Sequence, residues 1–144
     1  MRCGNHAHEP GAARGVLETA EVAVISTVDE FGRPRSAPIW FQWEDGAAYM
    51  FTARHTLKWR NLLARPHASL CIDKREPPYS SVVMDGPVLE TDRPLYELVL
   101  SMALRYYGKE KGSFFAEGYR DKSPRVVAFK LSPRRIASFT PDAA

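Results

Sequence analysis

What most constrains this chain is its punctuation. Short apolar or alternating segments recur along it, separated by tight turn signals rather than by long crossovers. Asp29-Glu30-Phe31-Gly32 reads as a turn, and Glu44-Asp45-Gly46 as a hairpin of the Asp-Gly type. Around them the pattern predicts strands over 22–28, 35–43 and 47–52, a three-stranded meander. Further strands are predicted at 67–73, 79–90, 125–131 and 136–139. Strands joined by hairpins pair antiparallel, so the expected class is mainly β: a six- to seven-stranded antiparallel barrel with a few peripheral helices.

The helices are expected at 12–20, 56–64, 94–108 and 113–118. Arg65-Pro66 ends the second of them, because proline cannot continue a helix and restricts the residue before it. In the third, Leu95, Leu98, Val99, Met102 and Tyr106 form one apolar stripe, with Asp92 as the expected N-cap and Gly108 as the C-terminal cap. At 144 residues the chain is one domain's worth, read as a mobile N-terminal tail over 1–11 and a single barrel domain over 12–144.

The apolar runs, such as 22–25 and 69–72, fall far short of a membrane span, and the N-terminus lacks the apolar core of a secretory signal. With two cysteines, Cys3 and Cys71, far apart, the chain reads as cytoplasmic and free of a disulfide framework. A formal charge of +3 with dispersed basic residues argues against nucleic acid and suits a small anionic ligand. Arg outnumbers Lys, 14 to 6, the bias of a GC-rich genome.

Catalytic signatures are missing. There is no G-x-S-x-G elbow and no phosphate-loop or dinucleotide-binding glycine pattern. Cys3, His6 and His8 form a C-x-x-H-x-H cluster without a fourth ligand, and no metal is assigned to it. A small barrel without acid–base machinery points to a bound cofactor as the reactive group.

Two segments carry chemistry. The first is Thr52 to Asn61, a strand end, a loop and a helix start. A helix N-terminus offers free N–H groups and partial positive charge. Arg54 and Lys58 add cations there, and Thr52 and Thr56 add hydroxyls, which together suit a phosphate monoester. A solvated basic first turn is the plain alternative. The second segment is Ser36-Ala37-Pro38-Ile39-Trp40-Phe41. Pro38 removes a ladder hydrogen bond, so this strand is expected at an edge or bulge. Its free backbone groups suit the polar rim of a planar heterocycle, although Trp40 and Phe41 fit a core role equally well.

At these residues a family pattern emerges. Ser26-Thr27-Val28-Asp29, Gly32-Arg33-Pro34 and Pro38-Ile39-Trp40-Phe41 resemble the opening of the pyridoxamine-phosphate-oxidase-like split-barrel superfamily. Lys58-Trp59-Arg60-Asn61-Leu62, Arg65-Pro66 and Pro78-Tyr79 continue the resemblance. It implies a homodimer of split barrels with a flavin-type cofactor in each of two interfacial clefts. Lys58, with Phe51 and Thr52, would meet the phosphate, and 37–42 would run along the ring. Ser36, Ala37, Pro38, Ile39, Trp40, Phe51, Thr52, Arg54, Lys58, Asn61, Tyr79 and Ser81 are the implied cofactor-binding residues.

The departures are informative. Members that oxidise pyridoxamine phosphate carry Arg, Lys and Gln where this chain has Ala37, Gln42 and Ser81, and an Arg-rich C-terminal end that this chain lacks. The pattern is more similar to the actinobacterial branch of flavin/deazaflavin oxidoreductases, many of which use coenzyme F420. The resemblance therefore implies an oxidoreductase passing hydride between F420, with FMN as the alternative, and a small unsaturated organic substrate. A non-catalytic flavin or haem binder of the same fold is a further alternative, with His55 and His67 as the possible axial ligands. No proton donor is assigned. Tyr79 is a candidate, and a structural tyrosine fits as well.

Overall fold

The computed structural model of the chain describes residues 3–6, 11–19 and 22–139. Its strands are β1 (Cys3–His6), β2 (Ala23–Val28), β3 (Pro34–Ile39), β4 (Gln42–Glu44), β5 (Ala47–Ala53), β6 (His67–Lys74), β7 (Ser80–Glu90), β8 (Val126–Leu131) and β9 (Arg135–Phe139). Its helices are α1 (Gly11–Leu17), α2 (Leu57–Ala64), α3 (Leu95–Tyr107) and α4 (Lys109–Glu117). All strand pairings are antiparallel, and seven strands follow the order β3-β2-β6-β7-β8-β5-β4. Strand β9 joins β7, and β1 joins β9. The mainly β, curled antiparallel architecture expected from the turn pattern is the one observed.

Two differences raise the strand count above the expected six or seven. The strand expected over 35–43 is two strands, β3 and β4, divided at Trp40-Phe41. These two residues carry the chain from one end of the seven-strand path to the other, so the open edges of the curled sheet are joined covalently. Within the segment read as a tail, residues 3–6 pair with β9, a partnership set by a distant strand and invisible in local pattern.

Strand β7 is the hinge of the fold. Its first part pairs with β6 and β9, while Val88 to Glu90 pair with β8. The chain changes sheets between β8 and β9 by crossing Gly86, where Ser132 and Pro133 lie against its backbone. Period-two burial follows: Ala68, Leu70 and Ile72 of β6, and Val82, Met84 and Val88 of β7, point into the barrel. Helix α2 closes this core with Trp59 and Leu62. Helix α3 instead packs Leu95, Leu98, Val99 and Met102 on the outer face of β5 and β8, against Ala47, Tyr49 and Ala128. Its N-cap position is Pro94, without a side-chain cap bond, and Asp92 stays exposed; proline sets the entry angle in place of the expected Asp92 cap.

Both turns behave as their residues require. Asp45 and Gly46 take φ values of 51° and 72°, the positive pair of a two-residue hairpin turn. In the β2–β3 turn, the Asp29 carboxylate accepts from the N–H groups of Arg33 and Phe31 and from Arg35 Nε. These bonds, led by that of the Arg33 N–H, hold its pKa below the usual aspartate value. A depressed folded pKa means stability that is present above the unfolded pKa and lost as pH falls through the folded value. Urea midpoints measured from pH 6 to pH 2 should therefore fall below about pH 4, and Asp29→Asn should flatten part of that fall. An unchanged acid profile in the variant would remove Asp29 from the account.

Candidate cofactor site

The site is built where β5 hands over to α2. Thr56 caps the helix: its Oγ accepts from Trp59 N at 3.4 Å and donates to Ala53 O at 2.9 Å. The N–H groups of Leu57 and Lys58 are left without a protein acceptor among the described residues. Thr52 is 7% exposed and its Oγ lies 3.4 Å from that of Thr56. Lys58 is half-buried and has no ion-pair or hydrogen-bond partner among the described residues. Burial pushes its ammonium pKa below the usual lysine value. A half-buried cation beside unsatisfied N–H groups is an arrangement that an anion completes.

The second expected cation is spent. Arg54 Nη2 pairs with Glu90 Oε1 at 2.9 Å, its Nε bonds Ser123 O at 3.3 Å, and its own N–H bonds Arg125 O at 2.8 Å. It ties the β5–α2 loop to the end of β7 and the start of β8. Asn61 is 3% exposed and donates to Thr27 Oγ1 at 3.0 Å, so its amide docks α2 on β2.

Among the described residues strand β3 is hydrogen-bonded to β2 alone, the edge position that Pro38 predicts. Ser36 is exposed there with its Oγ 2.9 Å from that of Ser26, while Ala37 is half-buried and Ile39 buried. Phe41 points into the barrel and is fully buried. Trp40 faces outward and stacks on Tyr106 of α3 at 4.6 Å and 11°. Phe51 joins it edge-on at 6.3 Å, and strand alternation puts Phe51 on the opposite face of β5 from Thr52.

Tyr79 and Ser81 lie at the far end of β7 from Glu90, which pairs with Arg54. Eight residues separate Ser81 from Glu90 along β7, and neither Tyr79 nor Ser81 has a contact with Lys58 among the described residues. The side chains of Cys3 and His6, and all of His8, lie outside the described residues. His55 is exposed, and His67 Nε2 stands 3.6 Å from Asp85 Oδ1. Among the described residues no group of three or more His, Cys, Asp or Glu is placed to hold a metal, and no helix is long and apolar enough to cross a membrane.

Sequence reasoning missed the aromatic cluster over this face. Tyr106, Phe115 and Tyr119 surround Trp40 and Phe51. Its signal was the density of aromatic residues between positions 106 and 119. It also missed Arg105, whose guanidinium donates to the carbonyls of Phe41 and Thr19 and holds the β3–β4 crossing against α3.

The sequence profile of pyridoxamine 5'-phosphate oxidase matches residues 10–139. The chain belongs to the pyridoxamine 5'-phosphate oxidase family. Solved structures of this architecture carry the same fold. A conserved hypothetical protein of Mycobacterium tuberculosis superposes with a TM-score of 0.76 at 19% identity, over 92% of this chain and 85% of that one. An F420 reductase gives a TM-score of 0.71 at 19% identity, over 89% and 98%. The haem storage protein HutZ of Vibrio cholerae gives 0.68 at 17% identity, over 92% and 94%. No curated protein matches the chain. At these identities the structural likeness is one of fold, shared by flavin-related and haem-binding proteins alike, so the cofactor of this family member is argued from its own residues.

Proposed function

We propose that the chain is a cytoplasmic, homodimeric oxidoreductase that binds a flavin-type cofactor, coenzyme F420 in preference to FMN, and acts on a small unsaturated organic substrate. The observation that carries this reading is Lys58: a half-buried ammonium without a carboxylate partner among the described residues, beside the open N–H groups of α2. It fits an anionic cofactor tail. The free edge of β3 offers backbone donors and acceptors for the rim of a flat ring.

When bound, such a cofactor supplies hydride transfer at its ring. The chain's own part is to hold and shield. Lys58 and the capped helix end grip the tail, and Thr56 fixes the helix end in place. Trp40, stacked on Tyr106 and tilted against Phe115, keeps water from the crossing between β3 and β4. In the homodimer, a second copy of the chain supplies Tyr79 and Ser81 to the site at Lys58.

The preference for F420 rests on what FMN would lack. Ala37 and Ser81 carry no long polar group, and Gln42 Nε2 already donates to Glu44 Oε2 at 3.1 Å. The net charge of +3 suits a tail bearing a phosphodiester and several carboxylates.

Paired fluorescence titrations with F420 and with FMN test the reading. F420 should bind, and Lys58→Ala should weaken it by about 1.5–3 kcal/mol, the scale of a hydrogen bond to a charged group. Binding of FMN alone would select the FMN alternative. Binding of haem with neither flavin would overturn the proposal in favour of a haem binder, and unchanged affinity in a folded Lys58→Ala variant would move the site elsewhere.

A further inference from the structure

A second cationic site lies on a different face of α2. Between this helix and the β2–β3 turn is a cleft of about 420 Å3 whose charged lining is Arg33, Arg35, Arg60, Arg65, Asp29 and Glu30. Four guanidinium groups against two carboxylates leave a net charge of +2. The Asp29 carboxylate is consumed within the turn by two backbone N–H groups and Arg35 Nε. Arg33, Arg60 and Arg65 have no carboxylate partner among the described residues.

Two of these three are held in place. Arg65 donates its Nε to Val28 O at 2.9 Å, which leaves its two terminal nitrogens for a ligand. Arg33 lies over the Phe31 ring, with Cζ 5.3 Å from the centroid. The floor is the apolar side of α2 formed by Leu57 and Ala64. Each residue turns a helix by about 100°, so Lys58 projects away from this face and does not line the cleft.

The geometry points to a binding site for a small organic polyanion, a molecule with two or more carboxylate or phosphate groups on a compact apolar frame. Planar guanidinium forks match carboxylate and phosphate oxygens in pairs, and several unpaired forks in one concavity favour a ligand of more than one anionic group. The volume of this open cleft suits a small molecule. The site is independent of the flavin reading and is tested without any flavin.

Calorimetric titration of the full chain with pyrophosphate and with citrate separates the two sources of that chemistry. At least one should bind saturably, and more weakly as salt rises. The titrations are run in a Lys58→Ala background, which removes the anion seat at the head of α2, and there Arg33→Gln/Arg60→Gln should weaken binding about tenfold or more. Both arginines are exposed, so thermal unfolding should confirm that the double variant is folded; if it is not, Arg60→Gln alone serves, with a weakening of several-fold expected. Pyrophosphate binding alone would identify a phosphorylated ligand, and citrate binding alone a polycarboxylate. Absence of saturable binding by either probe in the Lys58→Ala background, or undiminished binding once the arginine substitutions are added to it, would overturn the proposal.

Discussion

Trp59→Ala should lower the stability of the folded chain by about 3–5 kcal/mol, the range for truncating a large buried aromatic residue. Trp59 is 4% exposed and its ring meets that of Phe129 at 5.4 Å in the barrel core. It is the main plug that α2 drives into the barrel, with Leu62 beside it. Removing it leaves a cavity against β8, which cannot close up because it is hydrogen-bonded to β5 on one side and β7 on the other. The effect should reach the candidate site, since Lys58 immediately precedes Trp59 in the helix. A urea titration by circular dichroism measures the loss, and Trp59→Phe should recover much of it. A loss below about 1 kcal/mol would mean that α2 is held by its polar ties, Asn61 to Thr27 and Arg65 to Val28, and not by its apolar plug.

Gly86→Ala is expected to destabilise the chain by about 3 kcal/mol, at the upper end for overpacking. An added Cβ would fall on the Ser132 carbonyl oxygen and within 2.9 Å of Pro133 Cα, both backbone. That segment is pinned on either side: Ser132 N–H bonds Pro87 O at 3.1 Å, and Arg134 N–H bonds Asp85 O at 2.9 Å. Relief would have to break the ladder where the chain passes from one half of the barrel to the other. The same titration reads the result. A variant as stable as the parent would show that the β8–β9 corner can lift away, and the tight crossing would then not be needed for the split barrel.

These two positions differ in how far the sequence foretells them. Trp59 sits in a helix that Arg65-Pro66 and Thr56 delimit locally, so its inward direction follows from helical spacing with Leu62. Gly86 lies inside a predicted strand, and nothing nearby in the chain shows that Ser132 and Pro133 cross it. The sites divide in the same way. The helix end at Lys58 was legible because strand end, cap and helix start are contiguous. The fate of Arg54 was not, because Glu90, 36 residues away, neutralises it. Likewise Pro38 announced an edge strand, but Trp40 met Tyr106 only through α3 folding back over β5.

By itself, then, the sequence determined most of the elements, the two tight turns and the helix end at Lys58, because each of these is a matter of neighbours a few residues apart. Tertiary structure alone decided that β7 serves both halves of the barrel, that Tyr79 and Ser81 stand at the opposite end from Lys58, and that four arginines from two elements share one cleft. The hydrogen bonds of turns, caps and helices and the periodicity of burial act locally, whereas strand pairing, charge pairing and ring stacking depend on which distant segments the packed core brings together.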